Sequence, residues 1–163
     1  MYQPGETIIY SSSGVCTVEA VCVPPFAGKN ERDRLYYRLS PRGGTETIYV
    51  PVDSGAFMRP VMTREEAERL IGRMPGIPEK VCTTRSVTML RQQYEAILKA
   101  HDCETYVGLI KGMHAKEKGG GRLGQTDQRY RKRAEELLCG ELAAALELEP
   151  EAVPGYIRAR LGE

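Results

Sequence analysis

Gly5-Glu6-Thr7-Ile8-Ile9-Tyr10, Gly14-Val15-Cys16 and Ile48-Tyr49-Val50-Pro51-Val52 decide the fold of this chain. The first reads as the entry of a strand, the second as its restart after a turn, and the third as a later strand of the same sheet. Around them apolar residues alternate. Cys16, Val18, Ala20 and Cys22 share one strand face, Leu35, Tyr37 and Leu39 another, and Ile48, Val50 and Val52 a third. A period of two is that of strands with one face buried. Pro24-Pro25, Ala27-Gly28-Lys29-Asn30, Pro41-Arg42-Gly43-Gly44 and Asp53-Ser54-Gly55 punctuate them as turns. Four or five short antiparallel strands predict a small curled β-barrel whose core leaves no room for a ligand cavity. Its function then belongs on its rim, at strand edges and loop tips.

After Met58-Arg59-Pro60 the period changes. Thr63-Arg64-Glu65-Glu66 is a capping box that opens a short helix through Ala67, Leu70 and Ile71, and Pro75-Gly76-Ile77-Pro78 closes it. That Pro/Gly segment reads as a hinge. Beyond it, Leu90, Tyr94, Ile97 and Leu98 form one helix face, and Tyr106, Leu109, Ile110 and Met113 a second. Gly119-Gly120-Gly121 breaks the chain, and a third helix starting near Thr126 presents Tyr130, Ala134, Leu137, Leu138 and Leu142. Pro150 to Leu161 predicts one more short helix with Val153, Tyr156, Ile157 and Leu161 inside. The expected class is α+β, with a barrel over 1–60, a short helix and hinge over 61–82, and an all-α domain over 83–163.

The 163 residues suffice for one ordinary domain or two small ones. No apolar run approaches the roughly 20 residues that cross a bilayer, and no basic-then-apolar leader opens the chain, so the cytoplasm is expected. Five cysteines (Cys16, Cys22, Cys82, Cys103, Cys139) without CxxC spacing predict reduced, mostly buried thiols. His101-Asp102-Cys103 are adjacent at a helix start and do not converge on one ion, so neither metal nor cofactor is expected. Gly119-Gly120-Gly121-Arg122 follows no strand and lacks the Walker spacing, and reads as an interhelical loop. A thiol-dependent catalyst built on Cys103 is the enzyme-class alternative, but the sequence shows no base to partner that thiol.

Charge is segregated beneath a net value of +1. Residues 80–133 carry twelve Lys and Arg against five Asp and Glu, whereas residues 134–163 carry two against seven. The middle block either meets a polyanion or is a set of solvated helix faces. Lys111, Lys116 and Lys118, then Arg122, then Arg129, Arg131, Lys132 and Arg133 converge across one interhelical turn if the helices pair. Such a cluster suits phosphates. Aromatic interleaving is sparse, which argues against a stacking platform for single strands.

These residues resemble the CarD/CdnL-like bacterial transcription regulators over nearly the whole chain. The amino-terminal signature is Gly5-Glu6-x-Ile8-Ile9-Tyr10, Gly14-Val15, Tyr36-Tyr37-x-Leu39 and Val50-Pro51-Val52. The carboxy-terminal pattern is Arg91-x-x-Tyr94-x-x-x-Leu98, Leu123 through Asp127, and Ala134-x-x-Leu137-Leu138-x-x-Glu141-Leu142. The resemblance implies a Tudor/SH3-like domain, shared with transcription-repair coupling factors, that docks on the β subunit of bacterial RNA polymerase. It also implies a helical domain that touches promoter DNA beside the melted region. By position, the β-contacting residues fall at Phe26, Tyr49 and Pro51. In a blander reading Phe26 folds over the barrel end and Tyr49 is an ordinary strand tyrosine.

The chain departs from better-known members where they carry a tryptophan wedge and a basic run at the start of the first long carboxy-terminal helix. It has no Trp, and Met89-Leu90-Arg91-Gln92-Gln93-Tyr94 places Leu90 at the wedge position. Gln92, Gln93 and Glu95 weaken DNA contact there, leaving Arg85, Arg91 and the later basic cluster to supply it. The expected protein is a non-enzymatic, monomeric regulator. The alternative is a polymerase-binding adaptor whose helical domain binds another protein.

Overall fold

Five strands, β1 (Thr7–Tyr10), β2 (Gly14–Cys22), β3 (Tyr36–Pro41), β4 (Ile48–Pro51) and β5 (Met58–Pro60), precede five α-helices. The helices are α1 (Arg64–Arg73), α2 (Val87–Leu98), α3 (Cys103–Lys118), α4 (Gln125–Leu146) and α5 (Val153–Arg160). The structure is a computed structural model that describes residues 1–28 and 34–162; Lys29 and Asn30 of the expected second turn lie outside the described residues. The layout is α+β, in two units, Met1–Val61 and Met62–Glu163. Among the described residues no helix is long and apolar enough to cross a membrane.

The strands of the first unit run in the order β4-β3-β2-β1-β5, every pairing antiparallel. Among the described residues no ladder joins β4 to β5, so the expected barrel is an open sheet. Pro51 and Pro60 end these two edge strands, and proline cannot donate to a further ladder. Gly14 makes the β2 restart with φ 76°, a value that favours glycine. Ile8, Cys16, Val18, Tyr37, Leu39 and Val50 form the core, with Val21, Ile48 and Val52 packed against it.

The inward face of β2 differs from the expected one. The register slips between Val18 and Ala20, so Val18 opposes Leu39 whereas Val21, not Ala20 or Cys22, opposes Tyr37. One extra residue reverses the facing of everything after it. Ala20 and Cys22 therefore turn outward with Arg38 and Tyr36. Leu35 precedes β3 and is exposed rather than part of the inner stripe.

In the second unit the capping box forms as expected. Glu66 N donates to Thr63 Oγ1 (3.1 Å) and Thr63 N to the Glu66 carboxylate (2.9 Å). The segment expected as a hinge instead contributes Met74, Ile77 and Cys82 to the helical core. It is held there by Lys111, whose Nζ donates to the carbonyls of Met74 (3.0 Å), Pro75 (3.1 Å) and Ile77 (2.7 Å). It also lies close on α3 because Gly108 and Gly112 have no side chain: Lys80 N donates to Gly108 O (2.9 Å), and a Cβ at Gly112 would sit 1.8 Å from Lys80 O.

Helix α4 touches α1, α2, α3 and α5 and is the centre of this unit. Its Tyr130, Ala134, Leu138 and Leu142 meet Leu90, Tyr94 and Leu98 of α2 and Tyr106, Leu109 and Met113 of α3 in one core. Val153 of α5 is buried, and Tyr156, Ile157 and Leu161 pack against the same core. Tyr156 Oη donates to the Glu68 carboxylate, as does Arg160 Nε (3.0 Å), which ties α5 to α1.

Candidate functional site

Pro24 to Ala27 make a tight turn closed by Ala27 N donating to Pro24 O (3.1 Å). Pro25 presets the first central position, and Phe26 takes the second. The Phe26 ring is 63% exposed. It stands edge-on to Tyr49 (centroids 5.3 Å, 86°) and to Tyr36 (6.1 Å, 79°). The register puts these rings on one side, since Arg38 opposes Tyr49 and Tyr36 opposes Pro51. Phe26, Tyr49 and Pro51 therefore share the outward face of the sheet beside the β4 edge. Tyr36 and Arg34, whose guanidinium lies 5.7 Å from the Tyr36 ring centre, complete the patch. Arg34 was not singled out from the sequence, and Tyr36 only as part of the family signature, although alternation against Tyr37 already turns it outward.

An exposed ring braced edge-on by two others is an ordered anchor, so seating it in a partner's pocket has little side-chain freedom left to lose.

The basic residues divide in two. Lys111 is spent on the carbonyls after α1. Lys116 Nζ donates to Cys82 O (3.2 Å) and to Asp127 Oδ2 (3.0 Å) and is largely covered. Both were expected to meet phosphates, and both instead hold the helical unit together, because buried carbonyls and a buried carboxylate need donors. Leu90, which the resemblance puts at the wedge position and the helix spacing puts on the inner face, is 7% exposed and lies in the core stripe of α2. Val87 and Met89 are the exposed apolar residues of that helix start.

Arg85, Arg91, Lys118, Arg122, Arg129 and Lys132 are exposed, and Arg133 is partly so. Arg129 and Lys132 line one open face of α4 with Gln125, Gln128, Arg131 and Glu135. Arg131 pairs with Glu117 at 2.7 Å. Arg91 and Arg129 stand on the two helices whose Tyr94 and Tyr130 rings stack 5.0 Å apart between α2 and α4. Burial first, then the bonded Glu95 carboxylate, push the Tyr130 hydroxyl's pKa up, and Arg91 and Arg129 oppose them.

Cys103 begins α3 as expected, but it is buried, and its Sγ donates to Glu141 Oε1 (3.2 Å). The other oxygen of Glu141 accepts from Met62 N (2.9 Å). The carboxylate beside this thiol was not foreseen, being 38 residues away in the chain.

The first unit is thus a five-stranded open sheet that presents an exposed aromatic ring beside its β4 edge. Residues 2–62 match the family model described as CarD-like/TRCF RID domain, and the first unit is a CarD-like RNA-polymerase-interacting domain. The match ends at the boundary between the two units and leaves the helices outside it. No curated protein matches the chain.

Proposed function

We propose that this chain is a transcription regulator whose amino-terminal domain docks on the β subunit of bacterial RNA polymerase through Phe26, Tyr49 and Pro51. Its helical unit then lies with Arg91, Arg129, Lys132 and their exposed neighbours against promoter DNA and alters the stability of the open complex. It acts in the cytoplasm, as a monomer and without catalysis. The observation that carries this reading is the exposed Phe26 ring, braced by Tyr36 and Tyr49, within a domain of the polymerase-interacting class.

The DNA contact is weak by construction, since two of the expected lysines are occupied inside the unit. Tethering compensates, because docking raises the local concentration of a weak second contact by orders of magnitude. Preference for the melted promoter activates, and preference for the closed one represses. A second reading, in which the helical unit binds another protein, is favoured by the exposed Val81, Val87 and Met89.

Capture of a purified β-subunit lobe by the full chain tests the first step. Phe26→Ala and Tyr49→Ala each weaken capture at least tenfold if these rings are anchors, by the usual cost of truncating an aromatic anchor, about 2 kcal/mol. Undiminished capture by both variants refutes the interface. Binding of the full chain to a forked promoter duplex that falls steeply with salt supports DNA contact, and salt-independent or absent binding supports the adaptor.

A further inference from the structure

Glu95 stands where it subtracts from the exposed basic residues. Its Oε1 accepts the Tyr130 hydroxyl at 2.6 Å, and Tyr130 is itself buried and stacked on Tyr94. Arg91 precedes Glu95 by one helical turn on the same face of α2, the spacing at which side chains of a helix meet. Arg129 adjoins Tyr130 in the chain. The charges of Arg91 and Arg129 both reach the hydroxyl that Glu95 holds. An ordinary surface glutamate swings away from an approaching phosphate, but one bonded to the hydroxyl of a packed tyrosine cannot do so without losing that bond.

We propose that Glu95, pinned by Tyr130, is an attenuating residue: a fixed negative charge that competes with DNA phosphates for Arg91 and Arg129 and keeps the free protein's affinity for DNA low. The inference rests on the DNA-contact reading above. It makes DNA engagement depend on prior docking, since a weak surface acts only at the high local concentration that tethering supplies.

The test is fluorescence anisotropy of a labelled forked promoter duplex titrated with the full chain at several salt concentrations. The variants are Glu95→Gln, which keeps an acceptor for Tyr130 and removes the charge, and Arg129→Ala. A third, Glu147→Gln, is a control at the far end of α4, about 27 Å from Arg129 along the helix and beyond the reach of screened charge. Glu95→Gln is expected to bind about threefold to tenfold more tightly, the scale of relieving screened surface-charge attraction to two neighbouring guanidiniums, with a log–log salt slope steeper by up to about one phosphate. A gain confined to Glu95→Gln supports the proposal. Unchanged affinity in Glu95→Gln, or an equal gain in Glu147→Gln, overturns it, and the DNA-contact reading stands alone if Arg129→Ala still weakens binding. Absence of binding in every variant overturns the DNA-contact reading and this proposal together.

Discussion

Asp127 is the polar joint of the helical unit, and its removal has a cost that follows from its partners. It is 3% exposed and accepts from the Tyr94 hydroxyl, from Lys116 Nζ (3.0 Å) and from Gly124 N (3.4 Å) at the start of α4. Asp127→Ala leaves the Tyr94 hydroxyl buried without its acceptor, which costs about 1–3 kcal/mol. It also removes a bond to the helix start, worth about 1 kcal/mol. Lys116 retains Cys82 O and is partly solvated, so it adds little. The sum is about 2–4 kcal/mol, a large share of the stability of any small unit.

The pH dependence has a definite sign. Burial alone would raise the Asp127 pKa, but the Tyr94 and Lys116 bonds outweigh it and hold the carboxyl below its ordinary value of 3.8. A lowered folded pKa contributes stability that is present above the unfolded value and is lost as pH falls through the folded one. Asp127→Asn does not titrate at this position. Urea unfolding of the full chain, followed by helical circular dichroism, should therefore show the gap between wild type and Asp127→Asn narrowing below about pH 4, other carboxylates cancelling in the difference. A gap that stays constant from neutral to strongly acidic pH, or an Asp127→Ala variant as stable as wild type, refutes the reasoning.

Gly112→Ala places a Cβ 1.8 Å from Lys80 O, so the 77–82 segment must lift from α3 and lose the bond from Lys80 N to Gly108 O. The expected loss is about 2–4 kcal/mol, read as a Tm drop of more than about 8 °C. Gly72→Ala, with nothing within 4 Å of its Cβ position on α1, should hold or gain stability, and equal Tm values for the two variants contradict the packing argument. Burial, reinforced by Glu46, pushes the Cys16 thiol up to about 11, leaving about one molecule in a thousand as thiolate at pH 8. Mass spectrometry after brief iodoacetamide treatment should find half-buried Cys22 alkylated well before Cys16, and prompt labelling of Cys16 in the folded protein is the contrary result.

Much of the helical unit was legible because its signals act over a few residues. The capping box at Thr63 and Glu66, the stripe Leu90-Tyr94-Leu98 and the stripe Tyr130-Ala134-Leu138-Leu142 each depend on neighbours within a turn or two of helix. The outward placement of Tyr49 followed from strand alternation in the same way. The β2 face was misread past Val18 because nothing local announces a bulge, and its position emerges only from the pairing with β3. Three-residue β5 is too short to show a period at all.

By itself the sequence determined the α+β order, the change of period after Pro60, the turn that exposes Phe26, and the positive block over 80–133. Only the tertiary structure decided which charges of that block stay exposed. Lys111 found carbonyls 34 to 37 residues away, and Lys116 found Cys82 O and Asp127. Glu95 met Tyr130 across the α2–α4 seam. A side chain's chemistry states what it can donate or accept, whereas the partner it meets depends on which distant segments packing brings within reach.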